Sequence, residues 1–350
     1  MKYQHVCLHR PGYKLPPVVL SSHDIEERLA PVYERLKLPP GRLELMSGIR
    51  ERRLWDKPTR PSEAATLAGQ EAIAKAGLDP AAIDCLIFTA VSRDMLEPAT
   101  ASFVHANLGL SPHCLVFDIS NACLGFLDGM IMLANMIELG QIRNGLVVAG
   151  ETAEELIEST IAALLARSGL TRKSIKPSFA SLTIGSGAVG LVMSHTAGYS
   201  EGPRLIAGTY LANTVHNRLC QGGRTMGQEH GANSTLMATD SEELLKRGIE
   251  TAQAAWGKFI TKLGWPPESI DVFFCHQVGR AHAKLLFETL ALEQDKNFET
   301  LEYLGNVGSV SAPVTMAIGI EKQIFGKGQR AALLGIGSGI NCLMLALEWS

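Results

Sequence analysis

Gly77-Leu78-Asp79-Pro80-Ala81-Ala82-Ile83-Asp84 recurs 187 positions later as Gly264-Trp265-Pro266-Pro267-Glu268-Ser269-Ile270-Asp271, and Val91 and Arg93 align in the same register with Val278 and Arg280. Four of the eight positions are identical. In each copy a helical pattern comes first, Ala64 to Ala76 and Glu250 to Leu263. A turn with glycine and proline follows, then a short apolar strand, Cys85 to Ala90 or Val272 to Cys275. Chance agreement between common helix–turn–strand signals is the alternative reading. Two more apolar runs, Gly145 to Gly150 and Ala331 to Gly335, follow helices of similar length, so each half alternates α and β elements around a largely buried sheet. The boundary is placed at Ala197 to Pro203, giving halves of 1–197 and 198–350.

Composition narrows the class. The chain has 350 residues, 46% apolar and 19% charged, enough to bury two cores in a soluble globular protein. A formal net charge of −3, with no basic tail or polybasic stripe, argues against a nucleic-acid partner. No apolar run approaches the ~20 residues of a membrane-spanning helix, so membrane insertion is not expected. The opening Met1-Lys2-Tyr3-Gln4-His5 leads into polar, proline-containing sequence and not an apolar signal core, and a cytoplasmic location is expected. Seven cysteines, an odd number with no CxxC pair, argue against a disulfide framework or a structural zinc site.

One of those cysteines stands at a transition. The run Leu115-Val116-Phe117-Asp118-Ile119-Ser120 gives way to Asn121-Ala122-Cys123-Leu124-Gly125-Phe126, and Phe126, Met130, Leu133, Ala134 and Ile137 then recur at helical spacing. Cys123 is therefore placed at a helix mouth. Unpaired N–H groups and the positive dipole end should favour its thiolate, making it a candidate nucleophile. A buried structural cysteine is the alternative. In the other half, His276 and Gln277 follow the strand of the repeat, and Asn306 lies in Leu304-Gly305-Asn306-Val307-Gly308. Active-site groups of α/β sheets gather at the carboxyl ends of strands, where pseudo-symmetric halves could unite Cys123, His276 and Asn306. Taken singly, the histidine also reads as structural and the Gly-Asn pair as a turn.

Assembled, these residues resemble the thiolase superfamily, specifically its β-ketoacyl synthase III branch. The likeness includes Ser47-Gly48-Ile49-Arg50-Glu51-Arg52-Arg53, the Cys123 segment, Ile184-Gly185-Ser186-Gly187-Ala188 and Gly337-Ser338-Gly339, and it spans nearly the whole chain. It implies a duplicated, five-layered α-β-α-β-α fold and a homodimer. It implies that Cys123 takes an acyl group from coenzyme A or an acyl carrier protein and holds it as a thioester. His276 and Asn306 would bind the enolate of a second donor, and the backbone N–H groups of Cys123 and Ser338 would form the oxyanion hole. No metal or redox cofactor is implied.

The chain departs from ordinary synthase III before Pro98-Ala99-Thr100-Ala101. Typical members carry an aromatic residue there at the dimer contact; this chain reads Asp94-Met95-Leu96-Glu97. In the olefin-biosynthesis thiolases, which resemble it here and at Gly335 to Gly339, a glutamate at this position reaches into the neighbouring active site as a base. A base is needed when the second substrate is another acyl-CoA that must lose an α-proton, and not when malonyl decarboxylation makes the carbanion. Glu97 thus favours non-decarboxylative joining of two acyl-CoA molecules over the malonyl-carrier reaction. A solvated residue near a helix start is its alternative reading. Arg42 and Met46 stand where a tryptophan–arginine clamp for adenine is expected, Val278-Gly279 replaces Ala-Asn, and polar His216 to Asn233 is a candidate substrate entrance or an ordinary surface loop. A papain-like hydrolase lacks support around Cys123, and a non-catalytic carrier-binding relative is opposed by retention of all three polar residues.

Overall fold

The computed structural model describes residues 1–224 and 235–350. Ten strands form one mixed sheet. Its order from one edge is Val272–Cys275, Arg330–Gly337, Asn341–Glu348, Arg204–Ala212, Val6–Leu8, Gly187–His195, Asn144–Glu151, Cys85–Phe88 and Leu115–Asp118, with Gly12–Lys14 also paired to Gly187–His195. The duplication is visible in this order. Outward from the middle, Val6–Leu8, Gly187–His195, Asn144–Glu151, Cys85–Phe88 and Leu115–Asp118 pair antiparallel twice and then parallel twice. On the other side Arg204–Ala212, Asn341–Glu348, Arg330–Gly337 and Val272–Cys275 repeat the pattern. A single parallel bridge from Phe273 to Asn297 stands where the fifth strand would be. The two sets meet where Cys7 stands opposite Arg204, and an antiparallel bridge from Lys2 to Ala207 extends the contact.

Alternation along the strands builds the layers. Ala331 and Leu333, with Leu343, Leu345 and Leu347, face a central core that also takes Phe126, Met130 and Leu133 from helix Gly125–Glu138 and Val314, Met316 and Ile318 from helix Ser311–Glu321. Their neighbours Ala332, Leu334, Cys342, Met344 and Ala346 face outward, onto Trp256 and Phe259 of helix Ser241–Leu263 and Phe287 of helix Arg280–Leu290. Helix Ser311–Glu321 is buried from Ser311 to Ile320, with its buried Ser311 and Thr315 hydrogen-bonded, as a mostly apolar helix within the core must be. Over the N-terminal half, the alanine-rich helix Pro61–Ala76 lies almost on the strands. A Cβ at Gly12 would stand 2.4 Å from Ala72 N, and one at Gly150 would stand 2.3 Å from Pro61 O, so glycine is required at both.

Two expectations need adjusting. The helix expected from Glu250 begins at Ser241, because Asp240 caps it by accepting from Glu243 N at 3.1 Å and its polar first turns hide the apolar period. The candidate entrance His216 to Asn233 falls outside the described residues from position 225 onward; its earlier part includes strand Cys220–Gly223, which pairs antiparallel with Leu236–Thr239.

Candidate active site

The Cys123 segment is a sharp turn gripped in part by the other half of the chain. After strand Leu115–Asp118, Ala122 takes φ of +46°, a left-handed conformation costing an L residue ~1–3 kcal/mol, and a short 3-10 turn Ala122–Leu124 opens into helix Gly125–Glu138. Several contacts hold that strain in place. The Leu124 side chain fills the space over Gly335 and Gly337, where Cβ atoms would come within 2.5 and 2.9 Å of it. Gly125 lies so close to Thr89 that a Cβ would meet the Thr89 carbonyl oxygen at 2.4 Å. Phe126 N donates to Ser309 Oγ at 3.0 Å, and that hydroxyl donates onward to Thr89 O at 2.8 Å. Asn341 Nδ2 donates to Asn121 Oδ1 at 2.9 Å, while Asn121 Nδ2 donates to Asp128 Oδ2 at 2.7 Å.

From the C-terminal half, Ser309 and Asn341 bond this segment directly, and the candidate residues His276 and Asn306 are each fixed by their own backbone. Strand Val272–Cys275 ends at His276, whose N–H donates to Leu334 O at 2.8 Å and so fixes the residue beside strand Arg330–Gly337. Its Nδ1 is buried with no protein partner among the described residues. Gln277 is structural: its Oε1 accepts from Thr300 N at 2.9 Å and its Nε2 donates to Thr315 Oγ1 at 3.2 Å. Asn306 is buried and pinned through its backbone, accepting from Gly185 N at 2.9 Å and donating to Thr183 O at 3.0 Å. Its Oδ1 accepts from Gly308 N at 3.0 Å, which leaves the Nδ2 amide as the side chain's unspent donor. Ser338 lies in the turn between Arg330–Gly337 and Asn341–Glu348, its carbonyl 3.5 Å from Asn341 Nδ2.

Electrostatics correct one expectation. The thiol of Cys123 is not held as a thiolate: burial pushes its pKa up to about 12, with Cys220 and Glu151 adding to the rise. The helix-mouth reading counted the dipole but not the apolar surroundings, nor the loss of the Phe126 N–H to Ser309. Burial drives His276 the other way, down to about 4, with His282 contributing, so the ring is neutral at physiological pH. At rest the thiol and the imidazole are therefore both neutral.

Residues without a signal in the sequence reading complete the site. Glu151 directly follows the apolar run Gly145 to Gly150, and it is 4% exposed. Its carboxylate accepts from Val91 N at 2.9 Å, Ser92 N at 3.0 Å and Ser309 N at 3.0 Å. Ser309 and Asn341 are the other two, each bonding a residue of the Cys123 turn across the two halves.

The family model for 3-oxoacyl-[acyl-carrier-protein] synthase III matches residues 117–207, and the model for its C-terminal region matches residues 260–349. An acyl-CoA:acyl-CoA alkyltransferase of Shewanella oneidensis is 41% identical, with both chains covered over 100% of their length. The chain belongs to the OleA type of the thiolase superfamily. The cerulenin-bound OleA of Xanthomonas campestris superposes with a TM-score of 0.94 at 38% identity, covering 100% of this chain and 98% of that one. That OleA has also been solved with a serine in place of one cysteine and with bound lauric acid and lauroyl-CoA. Variants of it at a cysteine and at a glutamate place those two residues 26 positions apart, the separation of Glu97 and Cys123 here. A beta-ketoacyl-[acyl-carrier-protein] synthase III of Caldanaerobacter subterraneus is more distant, at 26% identity over 97% of this chain and 96% of its own.

For a thiolase-superfamily site, one member of the expected set stands apart. Glu97 is exposed in the loop before helix Thr100–Leu108, with no ion pair or side-chain hydrogen bond among the described residues. Its neighbour Leu96 is 92% exposed. At the expected carrier clamp, Met46 and Leu45 are exposed on helix Arg42–Ser47, and Arg42 has a buried Nε without a protein partner among the described residues.

Proposed function

We propose that this chain joins two fatty acyl-CoA molecules by non-decarboxylative Claisen condensation, giving a 2-alkyl-3-oxoalkanoic acid. The observation that carries the reading is the full-length relationship to an acyl-CoA:acyl-CoA alkyltransferase at 41% identity. In the first half-reaction the Cys123 sulfur attacks the thioester carbonyl of one acyl-CoA. The carbonyl oxygen gains negative charge and is received by the backbone N–H groups of Cys123 and Ser338. The new S–C bond forms as the old one breaks, and coenzyme A leaves with the thiol proton.

In the second half-reaction an α-proton of another acyl-CoA passes to a carboxylate, Glu97 of a second copy of the chain. The enolate oxygen is held by the Asn306 amide and by a neutral N–H of His276. The α-carbon then attacks the acyl-Cys123 carbonyl, a carbon–carbon bond forms, and Cys123 leaves as sulfur anion to regain a proton. Hydrolysis of the remaining thioester gives the free acid. Neither step calls for a metal or redox cofactor.

Two features support a homodimer that exchanges Glu97. Strand Leu115–Asp118 is an edge of the sheet, its outer side unpaired among the described residues, and Leu115 is 50% exposed. The loop that carries Glu97 also presents Leu96 and Met95 to solvent, an apolar contact with no use in an isolated chain.

Incubating the protein with lauroyl-CoA alone tests the reading by mass spectrometry: a branched β-keto acid or its decarboxylated ketone is expected without any malonyl donor. Glu97→Gln should still form acyl-Cys123 but condense ~10²-fold more slowly, the scale of a lost general base. Product formed only with malonyl-carrier, and equally well by Glu97→Gln, would establish the decarboxylative synthase reaction with an acyl carrier protein as donor instead.

A further inference from the structure

Glu151 is a fully enclosed carboxylate that the mechanism above does not use. Its surroundings are unusual in linking three separated parts of the site. Oε2 accepts from Ser92 N, and Oε1 accepts from both Val91 N and Ser309 N, at 2.9 to 3.0 Å. Val91 and Ser92 begin the loop that ends in Glu97. Ser309 belongs to the turn that follows Asn306, and its hydroxyl takes the Phe126 N–H three residues beyond Cys123. Gly308 completes the connection. At φ of +54° it brings its backbone so near the carboxylate that a Cβ would stand 2.7 Å from Glu151 Oε1, and its N–H is the group that orients the Asn306 amide at 3.0 Å.

We propose that Glu151 is a positioning residue for the condensation step: one carboxylate that anchors the Asn306 turn of the C-terminal half and the Glu97 loop of the N-terminal half to a common point beside Cys123. This rests on the reading of Asn306 as an enolate donor. The carboxylate suits the task because, ionised, it offers only acceptors: three backbone N–H groups and the Ser92 side chain meet it as donors and oppose the rise in pKa that burial causes. An amide in its place must turn an NH₂ toward at least one of those N–H groups. The Asn306 turn or the Glu97 loop would then shift, and a displacement near 1 Å in a positioned group can cost about 10²-fold in rate. Attack of Cys123 on the first acyl-CoA uses neither loop; removal of the Glu151 charge beside the thiol lowers the thiol pKa, so acylation should not fall.

The test separates the two half-reactions in Glu151→Gln. Single-turnover acylation of Cys123 by lauroyl-CoA is expected to stay within a few-fold of the parent, while transfer from acyl-Cys123 to product falls by about 10²-fold. A purely structural residue would lower both in proportion to the folded fraction, which circular dichroism and titration of Cys123 with iodoacetamide measure. Gly308→Ala presses on the same junction from the opposite side and should give the same split, so it decides the matter if Glu151→Gln does not fold. Equal loss of acylation and condensation, or no loss of either, overturns the proposal. Asn306→Ala run in parallel distinguishes the two failures: if it leaves condensation intact, the functional reading has failed; if it slows condensation and Glu151→Gln does not, only the role of Glu151 has failed.

Discussion

Replacing Ser309 with alanine removes one oxygen atom from the contact between the two halves. That oxygen accepts from Phe126 N at 3.0 Å and donates to Thr89 O at 2.8 Å, and Ser309 and its neighbours there are buried. Thr89 O and Phe126 N lie on a strand end and a first helical turn packed too tightly to admit even a Cβ at Gly125, which leaves no room for a rescuing water. Two buried backbone groups are thus left unpaired. At ~1–3 kcal/mol each, the loss is ~2–6 kcal/mol. Unfolding entropy near 2.1 cal/mol/K per residue gives roughly 0.7 kcal/mol/K for this length, so Tm should fall by ~3–8 °C in differential scanning calorimetry. The substitution also releases the Phe126 N–H toward the helix mouth, so the pH midpoint for alkylation of Cys123 should move down even as the protein loses stability. A Tm within 1 °C of the parent, with an unchanged alkylation profile, would refute the view that this hydroxyl joins the halves.

Lauroyl-CoA should leave a covalent acyl mass on the peptide containing Cys123 and none in Cys123→Ala; an adduct on Cys275, whose buried thiol is pushed well above its ordinary pKa, would defeat the assignment. His276→Ala and Asn306→Ala should each slow condensation by ~10²-fold while acylation survives, read by single-turnover mass spectrometry, and equal loss of both steps would point to a role in activating the thiol. Stability should be level above pH 6.5 and fall toward pH 4, because burial holds His9, His276 and His282 at about 4 in the fold, against 6.5 in the unfolded chain. The unfolded chain then binds up to three more protons in that window, a ceiling of ~4 kcal/mol per pH unit. The raised carboxyls of Asp128, Glu151 and Glu299 act in the opposite sense and reduce the slope. A Tm that stays constant from pH 7 to pH 5 would contradict the burial of these rings as neutral groups.

Much of this architecture was legible because it is local. The repeat of Gly77 to Asp84 at Gly264 to Asp271 marks equivalent helix-to-strand turns, and glycine, proline and an apolar run are enough to locate them. Cys123, His276 and Asn306 stand out as candidates because each follows a short apolar run or a glycine. Glu151 could not: it ends a strand like any solvated residue, and only the fold reveals three N–H groups aimed at its carboxylate. Ser309 and Phe126 are 183 positions apart, a pairing that no periodicity encodes. The ionisation of Cys123 was misjudged for a related reason. A helix dipole can be read from a pattern, but desolvation depends on what the rest of the chain packs around the thiol.

The strand Val6–Leu8 has a consequence for how the halves are spaced. Gly187–His195 and Arg204–Ala212 are successive strands joined by a short connection, the arrangement that ordinarily makes a hairpin, yet they do not pair with each other. Residues from the beginning of the chain lie between them: His9 N bonds Val192 O on one side, and Leu8 N and Tyr3 N bond Pro203 O and Ile206 O on the other. This strand acts as a shim. During synthesis it is made first and waits for about 190 residues before either neighbour exists, a large loop to close. Until it is inserted, its two neighbours are free to close directly on each other, bringing the halves nearer by the width of one strand, ~4.8 Å. Cross-half contacts such as Ser309 to Phe126 and Asn341 to Asn121 could not then form, so the surroundings of Cys123 depend on a strand far from it in sequence.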